Sequence, residues 1–179
     1  MTRNNPYTQR GFIWDAVVTE LLPLNGFLHS WAHDINDGGV VVGNSVVAAG
    51  YFLDTQASRW VNTIVDDPFG LGSGSSSEAL ALNAAGQTAL IFPGRYGGGT
   101  NHTAYLWSDA SALAEIPGGF IPSRVNQQGV VIGDYRYTNS DTGEQTQYSV
   151  IHKDGVTYNA TCYSAPGTGI EIKAAVDLN

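Results

Sequence analysis

Cysteine and basic charge are what this chain has least of. Its 179 residues include one cysteine, Cys162, and eight Lys and Arg against sixteen Asp and Glu. A lone cysteine closes no intramolecular disulfide, and four separated histidines give no zinc spacing, so no metal site is read from the sequence. Cys162 reads as a packed or bystander thiol. The net charge of −8 repels a phosphate backbone unless the cations gather on one face. They are scattered from Arg3 to Lys173, so no nucleic-acid partner is expected.

Long apolar runs are missing too. No run approaches the ~18 residues of a membrane span, and the polar segment Met1 to Arg10 has no apolar stretch of the kind a secretory leader needs. Neither membrane insertion nor a signal peptide is expected. Charged residues make up 13% of the chain, about half the usual share, and the Ala, Glu, Lys and Leu abundance of long helices is lacking. What is present is 42% hydrophobic residues and 22 glycines. That combination supplies one compact domain with a sizeable core and many turns, and predicts an all-β fold.

Internal repetition organises the sequence. Asp34-Ile35-Asn36-Asp37-Gly38-Gly39-Val40-Val41-Val42-Gly43 recurs as Arg124-Val125-Asn126-Gln127-Gln128-Gly129-Val130-Val131-Ile132-Gly133 and, more faintly, from Ala81 to Leu90. A further copy opens at Asp177-Leu178-Asn179. Asn at the start of a type I turn can hold its own backbone, and Gly at the end supplies the positive φ of a bulge, so each copy predicts strand, tight turn, strand. A strand precedes each hairpin at Phe12-Ile13-Trp14-Asp15, Tyr51-Phe52-Leu53-Asp54, Tyr105-Leu106-Trp107-Ser108 and Val150-Ile151-His152-Lys153. One more is expected in each repeat, around Thr19 to Leu22, Trp60 to Val65, Ala112 to Ile116 and Val156 to Thr161. Ser75-Ser76-Ser77-Glu78 has capping-box spacing before helix formers; register with the other copies predicts a strand there instead.

Four strands per period of about 46 residues predict a β-propeller-like array of four repeats, roughly 10–48, 49–102, 103–147 and 148–179. The last is completed by an N-terminal strand over 1–9 or left open. A two-sheet sandwich is the competing arrangement.

The aromatic-aliphatic-Trp strands (Phe12-Ile13-Trp14, Tyr105-Leu106-Trp107), the segments Leu22-Pro23-Leu24 and Ile116-Pro117-Gly118, and the Ile-Asn-Asp-Gly-Gly-Val-Val-Val-Gly hairpin from Ile35 to Gly43 together resemble the bacterial extracellular repeats named HAF. The resemblance covers nearly the whole chain and is strongest in the first and third repeats. It implies a secreted or cell-surface repeat protein without an established catalytic apparatus, and it brings no active residues to carry over.

Candidate chemistry is sparse. Leu24 to Trp31 is unusually aromatic for a connection, and Phe27, His29 and Trp31 are the candidate binding residues, able to stack on sugar faces. The competing role for Phe27 and Trp31 is to plug a gap between repeats. Gly70 to Ser75 lacks the Lys-Ser/Thr of a phosphate loop. Asp66-Asp67 and the group Asp34, Asn36, Asp37 offer oxygen ligands suited to calcium; after the second group no bidentate Glu follows at the required distance and Asn-Asp-Gly-Gly is already explained as a turn, so no cofactor is expected, with calcium as the alternative. His152 occupies a strand position held elsewhere by Trp and reads as a packed substitute.

The sequence therefore points to a non-catalytic extracellular repeat module for binding or structural assembly, with a glycan or protein as ligand. The alternatives are a propeller-scaffold glycoside hydrolase or lyase, and a structural subunit pairing as a homo-oligomer through an open sheet edge near Asn179.

Overall fold

The computed structural model describes residues 8–49, 52–70, 76–92, 102–138 and 141–160. Met1 to Tyr7, Tyr51, most of the Gly70 to Ser75 segment, Cys162 and the stretch ending at Asn179 lie outside them. The described residues are all-β with no α-helix, and every observed strand pairing is antiparallel.

Among the described residues, fourteen strands form one two-stranded and three four-stranded sheets. β1 (Gly11–Asp15) pairs with β2 (Val17–Leu21). The first meander runs β3 (His29–Ile35), β4 (Val41–Ala49), β5 (Phe52–Val61) and β6 (Ile64–Asp66). The second runs β7 (Glu78–Leu82), β8 (Thr88–Phe92), β9 (Thr103–Ser108) and β10 (Ala112–Ile116), and the third β11 (Ile121–Val125), β12 (Val131–Thr138), β13 (Gln145–Lys153) and β14 (Val156–Asn159). Each meander takes two strands from either side of a sequence-repeat boundary. The residues that follow the capping-box serines, Glu78–Leu82, form a strand, β7.

The Asn turns are built as their chemistry dictates. In all three, the Asn carbonyl accepts the Gly N–H three residues on, at 2.9–3.0 Å, and the Asn Oδ1 accepts the N–H four residues on. Gly39, Gly86 and Gly129 have φ of 73°, 81° and 75°, the left-handed geometry that glycine adopts without steric cost. Two hairpins repeat a further irregularity. β3 is bulged between Ala32 and Asp34, and β11 between Pro122 and Arg124. Opposite each bulge a glycine admits the neighbouring backbone: a Cβ on Gly43 would stand 1.9 Å from the Trp31 carbonyl oxygen, and one on Gly133 2.1 Å from that of Ile121.

One expected strand is corrected. Trp60 to Val65 is broken by a turn at Asn62-Thr63, where both residues have positive φ, 51° and 67°. Trp60 is therefore the penultimate residue of β5 and faces Val41, as Trp107 faces Thr88 and His152 faces Val131. The true counterpart of the Trp strand in this repeat is Ser58-Arg59-Trp60-Val61. Trp14, Trp60, Trp107 and His152 are then spaced 46, 47 and 45 residues apart.

The chain divides into two compact units, Met1–Ala79 and Leu80–Asn179. In the first, Trp60 and Val41, with Val65 beside them, form one face of the β3–β6 sheet, packed on Ile13 and Leu21 of the β1–β2 hairpin. Trp60 is fully buried, and its Nε1–H donates to the Leu22 carbonyl at 2.7 Å, just beyond the end of β2. In the second, Val131 and Val150 of the β11–β14 sheet, together with Phe120, pack on Ala81, Ala89, Ala104 and Ile116. The hydroxyl of Thr157, paired with His152, donates to the Pro117 carbonyl at 2.7 Å, just beyond the end of β10. Within each unit, a sheet thus docks its Trp-position face on the opposite kind of face of the sheet before it.

Candidate binding face

In β1 side chains alternate across the hairpin. Ile13 turns into the core, so Phe12 and Trp14 stand on the other face. Directly opposed residues in an antiparallel pair share a face, which adds Val18, opposite Trp14, and Glu20, opposite Phe12. This face is open: Trp14 is 75% exposed, Phe12 62% and Val18 63%. Its counterparts Trp60 and Trp107 are 0% and 5% exposed. The same motif therefore sits in two environments, and only the copy in β1 offers its indole to solvent.

Beside these rings runs a cleft of about 330 Å³ lined by Phe12, Trp14, His33, Asp34 and Ile35 among others. The β3 bulge shapes it, since an extra residue bends a strand and re-aims its side chain. His33 is the bulged residue, and its Nδ1 lies 3.1 Å from the Ala79 carbonyl oxygen. A carbonyl only accepts, so Nδ1 carries a proton. Asp34 Oδ1 accepts the Ile35 N–H at 2.9 Å. The cleft thus combines two exposed rings with the Asp34 carboxylate at one end, an arrangement suited to an apolar group carrying hydroxyl or amide donors.

The residues singled out from the sequence lie elsewhere. His29 and Trp31 are on β3, not in a loop, and Gln9 ties them together. The Gln9 N–H donates to His29 Nδ1 at 2.9 Å, and Trp31 Nε1–H donates to Gln9 Oε1 at 3.1 Å. His29 is buried, while Phe27 and Trp31 are half-buried, with the Phe27 N–H on the Leu24 carbonyl at 3.0 Å. Phe12 and Trp14 went unselected because the sequence reads them as ordinary repeat positions, and the repeat itself carries no signal that one copy is open.

Of the groups considered for calcium, Asp34, Asn36, Asp66 and Asp67 have protein partners. Asp66 receives Arg59 through two nitrogens at 3.0 and 2.7 Å, Asp67 accepts from Gln56 at 2.6 Å, and Asn36 Oδ1 closes its turn. Among the described residues no group of three or more His, Cys, Asp or Glu could hold a metal ion.

His152, at the Trp position of β13, has its pKa lowered by burial. Its Nδ1 is 2.9 Å from Thr157 Oγ1. The single hydroxyl proton of Thr157 goes to Pro117, so the imidazole is the donor. It packs where its siblings place an indole, as the sequence suggests. No family model, curated relative or solved structure matches the chain.

Proposed function

We propose that this chain is a non-catalytic repeat module of the bacterial exterior, of the HAF type, which works by docking a partner on the Phe12–Trp14 face. Its meanders act as blades of a propeller-like array to which β1–β2 contributes a further two strands. The supporting observation is the contrast in exposure between Trp14, at 75%, and its buried counterparts Trp60 and Trp107. A large apolar side chain left in water forgoes roughly 1.5–3 kcal/mol of burial free energy. A partner that covers it recovers that amount, and aromatic side chains held on paired strands are typical anchors of recognition. The location rests on the resemblance in the hairpin and Trp-strand motifs.

The ligand is a protein surface or a glycan. The test is solid-phase binding to arrayed bacterial glycans and to the protein itself, comparing wild type with Trp14→Ala. Loss of a signal at unchanged melting temperature supports docking on this face. Retention of every signal by the variant overturns it.

A further inference from the structure

β1 differs from its counterparts in its backbone as well as in its rings. The Trp-position strands β5 and β9, and β13 with its His152, each lie between two neighbours: β4 and β6, β8 and β10, β12 and β14. β1 pairs with β2 alone, and no described strand pairs with its other side. In an antiparallel ladder successive residues send their N–H and C=O groups to opposite sides. Every second residue of β1 therefore presents both groups to an unpaired edge. Such edges are usually blunted by bulges, prolines or charges. The first strands of two meanders, β3 and β11, follow this rule, since each is bulged and Pro122 stands in β11. β1 has neither device. All five of its residues keep register with β2, and only Asp15, at its end, is charged.

Space lies beside this edge. Three consecutive residues, Phe12, Ile13 and Trp14, line the cleft of about 330 Å³, with the bulged stretch of β3 across from them. Side chains alternate across a strand, so consecutive residues share one cleft only along the strand's edge. The other sheets show what fits there. The strand beside β5, β9 or β13 follows an Asn-x-x-Gly turn and sets a β-branched residue against the Trp position: Val41 on Trp60, Thr88 on Trp107, Val131 on His152. The residue after it is apolar in all three: Val42, Ala89 and Ile132.

We propose that β1 is an acceptor for strand addition. A strand that follows an Asn-x-x-Gly turn, donated by another chain of this repeat type, pairs with the free edge and sets its Val or Thr beside Trp14. Main-chain hydrogen bonds hold it, and the cross-strand pair with Trp14 fixes its register. A folded second copy is not the donor, because β4, β8 and β12 already have a neighbour on each side. The site is distinct from the ring face, since side chains stand above and below a sheet while these backbone groups point within its plane. The inference therefore goes beyond the docking reading and does not rest on it.

The probe is a synthetic peptide spanning Asn126 to Thr138, labelled with fluorescein and titrated with the whole protein while its anisotropy is followed. Two further peptides carry backbone N-methyl groups, one at Val130, Ile132 and Asp134, the other at Val131, Gly133 and Tyr135. The unmodified peptide should bind saturably. In a strand pair one set faces β1 and the other faces away. One methylated peptide should therefore bind roughly tenfold more weakly or worse, and the other within about twofold of the parent. Amide hydrogen exchange should slow at alternate residues of β1 on binding. Absence of saturable binding overturns the proposal. So do equal affinities of the two methylated peptides, which mean docking through side chains, and slowed exchange confined to residues outside β1. Self-assembly of the protein alone that protects the same β1 amides overturns the choice of donor. If the peptide fails to bind while a Trp14-dependent array signal persists, strand addition falls and the ring face stands as a docking surface.

Discussion

At the scale of single residues, the same amino acid takes its meaning from what lies over it. Trp60→Ala removes a fully buried indole and its hydrogen bond to Leu22. It should cost about 3–5 kcal/mol in a denaturant titration, whereas Trp14→Ala should stay within about 0.5 kcal/mol. Gly43→Ala and Gly133→Ala each drive a methyl into a carbonyl oxygen. Such overpacking should destabilise by roughly 1–3 kcal/mol or more. Asn44 is buried with neither side-chain atom hydrogen-bonded to described residues. Asn44→Leu, which removes an unsatisfied amide, should leave the melting temperature unchanged or raised. His152 gives a pH signature. Its folded pKa lies below the unfolded value of about 6.5, so the folded state binds fewer protons. Stability is fully present above that value and falls as pH drops through the window between the two pKa values. A smaller loss of melting temperature between pH 7 and 5 in His152→Gln than in wild type is the expected reading. The repeat places His152 correctly in sequence. It does not place Trp60, because Asn62-Thr63 carries no Gly or Pro to announce the turn that ends its strand.

At the scale of elements, the Asn-x-x-Gly hairpins were fully legible, since one side chain and one positive φ specify the whole turn. Asn126 Oδ1 accepts N–H groups of both Gln128 and Val130, and Asn83 Nδ2 in turn donates to the Asn126 carbonyl at 2.7 Å. Asn83, at 3% exposure, is the more committed of the two. Asn126→Ala should cost about 1–2 kcal/mol and Asn83→Ala more, because buried groups would lose partners. The Asn62-Thr63 turn was illegible for the opposite reason. Thr63 is β-branched at a φ of 67°, a conformation local propensity disfavours and pairing of β5 with β6 imposes. Thr63→Gly should therefore stabilise by about 1 kcal/mol in thermal or chemical unfolding. For β7, helical propensity and repeat register disagree. Register wins because pairing in a sheet outweighs a capping signal of ~1 kcal/mol.

At the scale of the whole molecule, the all-β class and the period of about 46 residues were readable from glycine content, low charge and repeated turns. How strands group was not. Sequence similarity aligns copies but leaves open where one sheet stops, and the meanders cut each repeat between its second and third strands. The candidate face was hidden for a related reason. Phe12-Ile13-Trp14 and Tyr105-Leu106-Trp107 share a pattern, and only tertiary packing distinguishes an uncovered ring from a covered one.

The interlock of one sheet on the next, Trp60 on the hairpin of Ile13 and Thr157 on the Pro117 carbonyl, lets length change by whole periods. Duplicating one period in the gene adds four strands, one Asn turn and one more copy of a contact the chain already makes. Cooperative unfolding should then steepen and gain stability by a roughly constant increment per added period. Growth of this kind offers evolution a graded series of lengths, each foldable by rules its predecessor already obeyed.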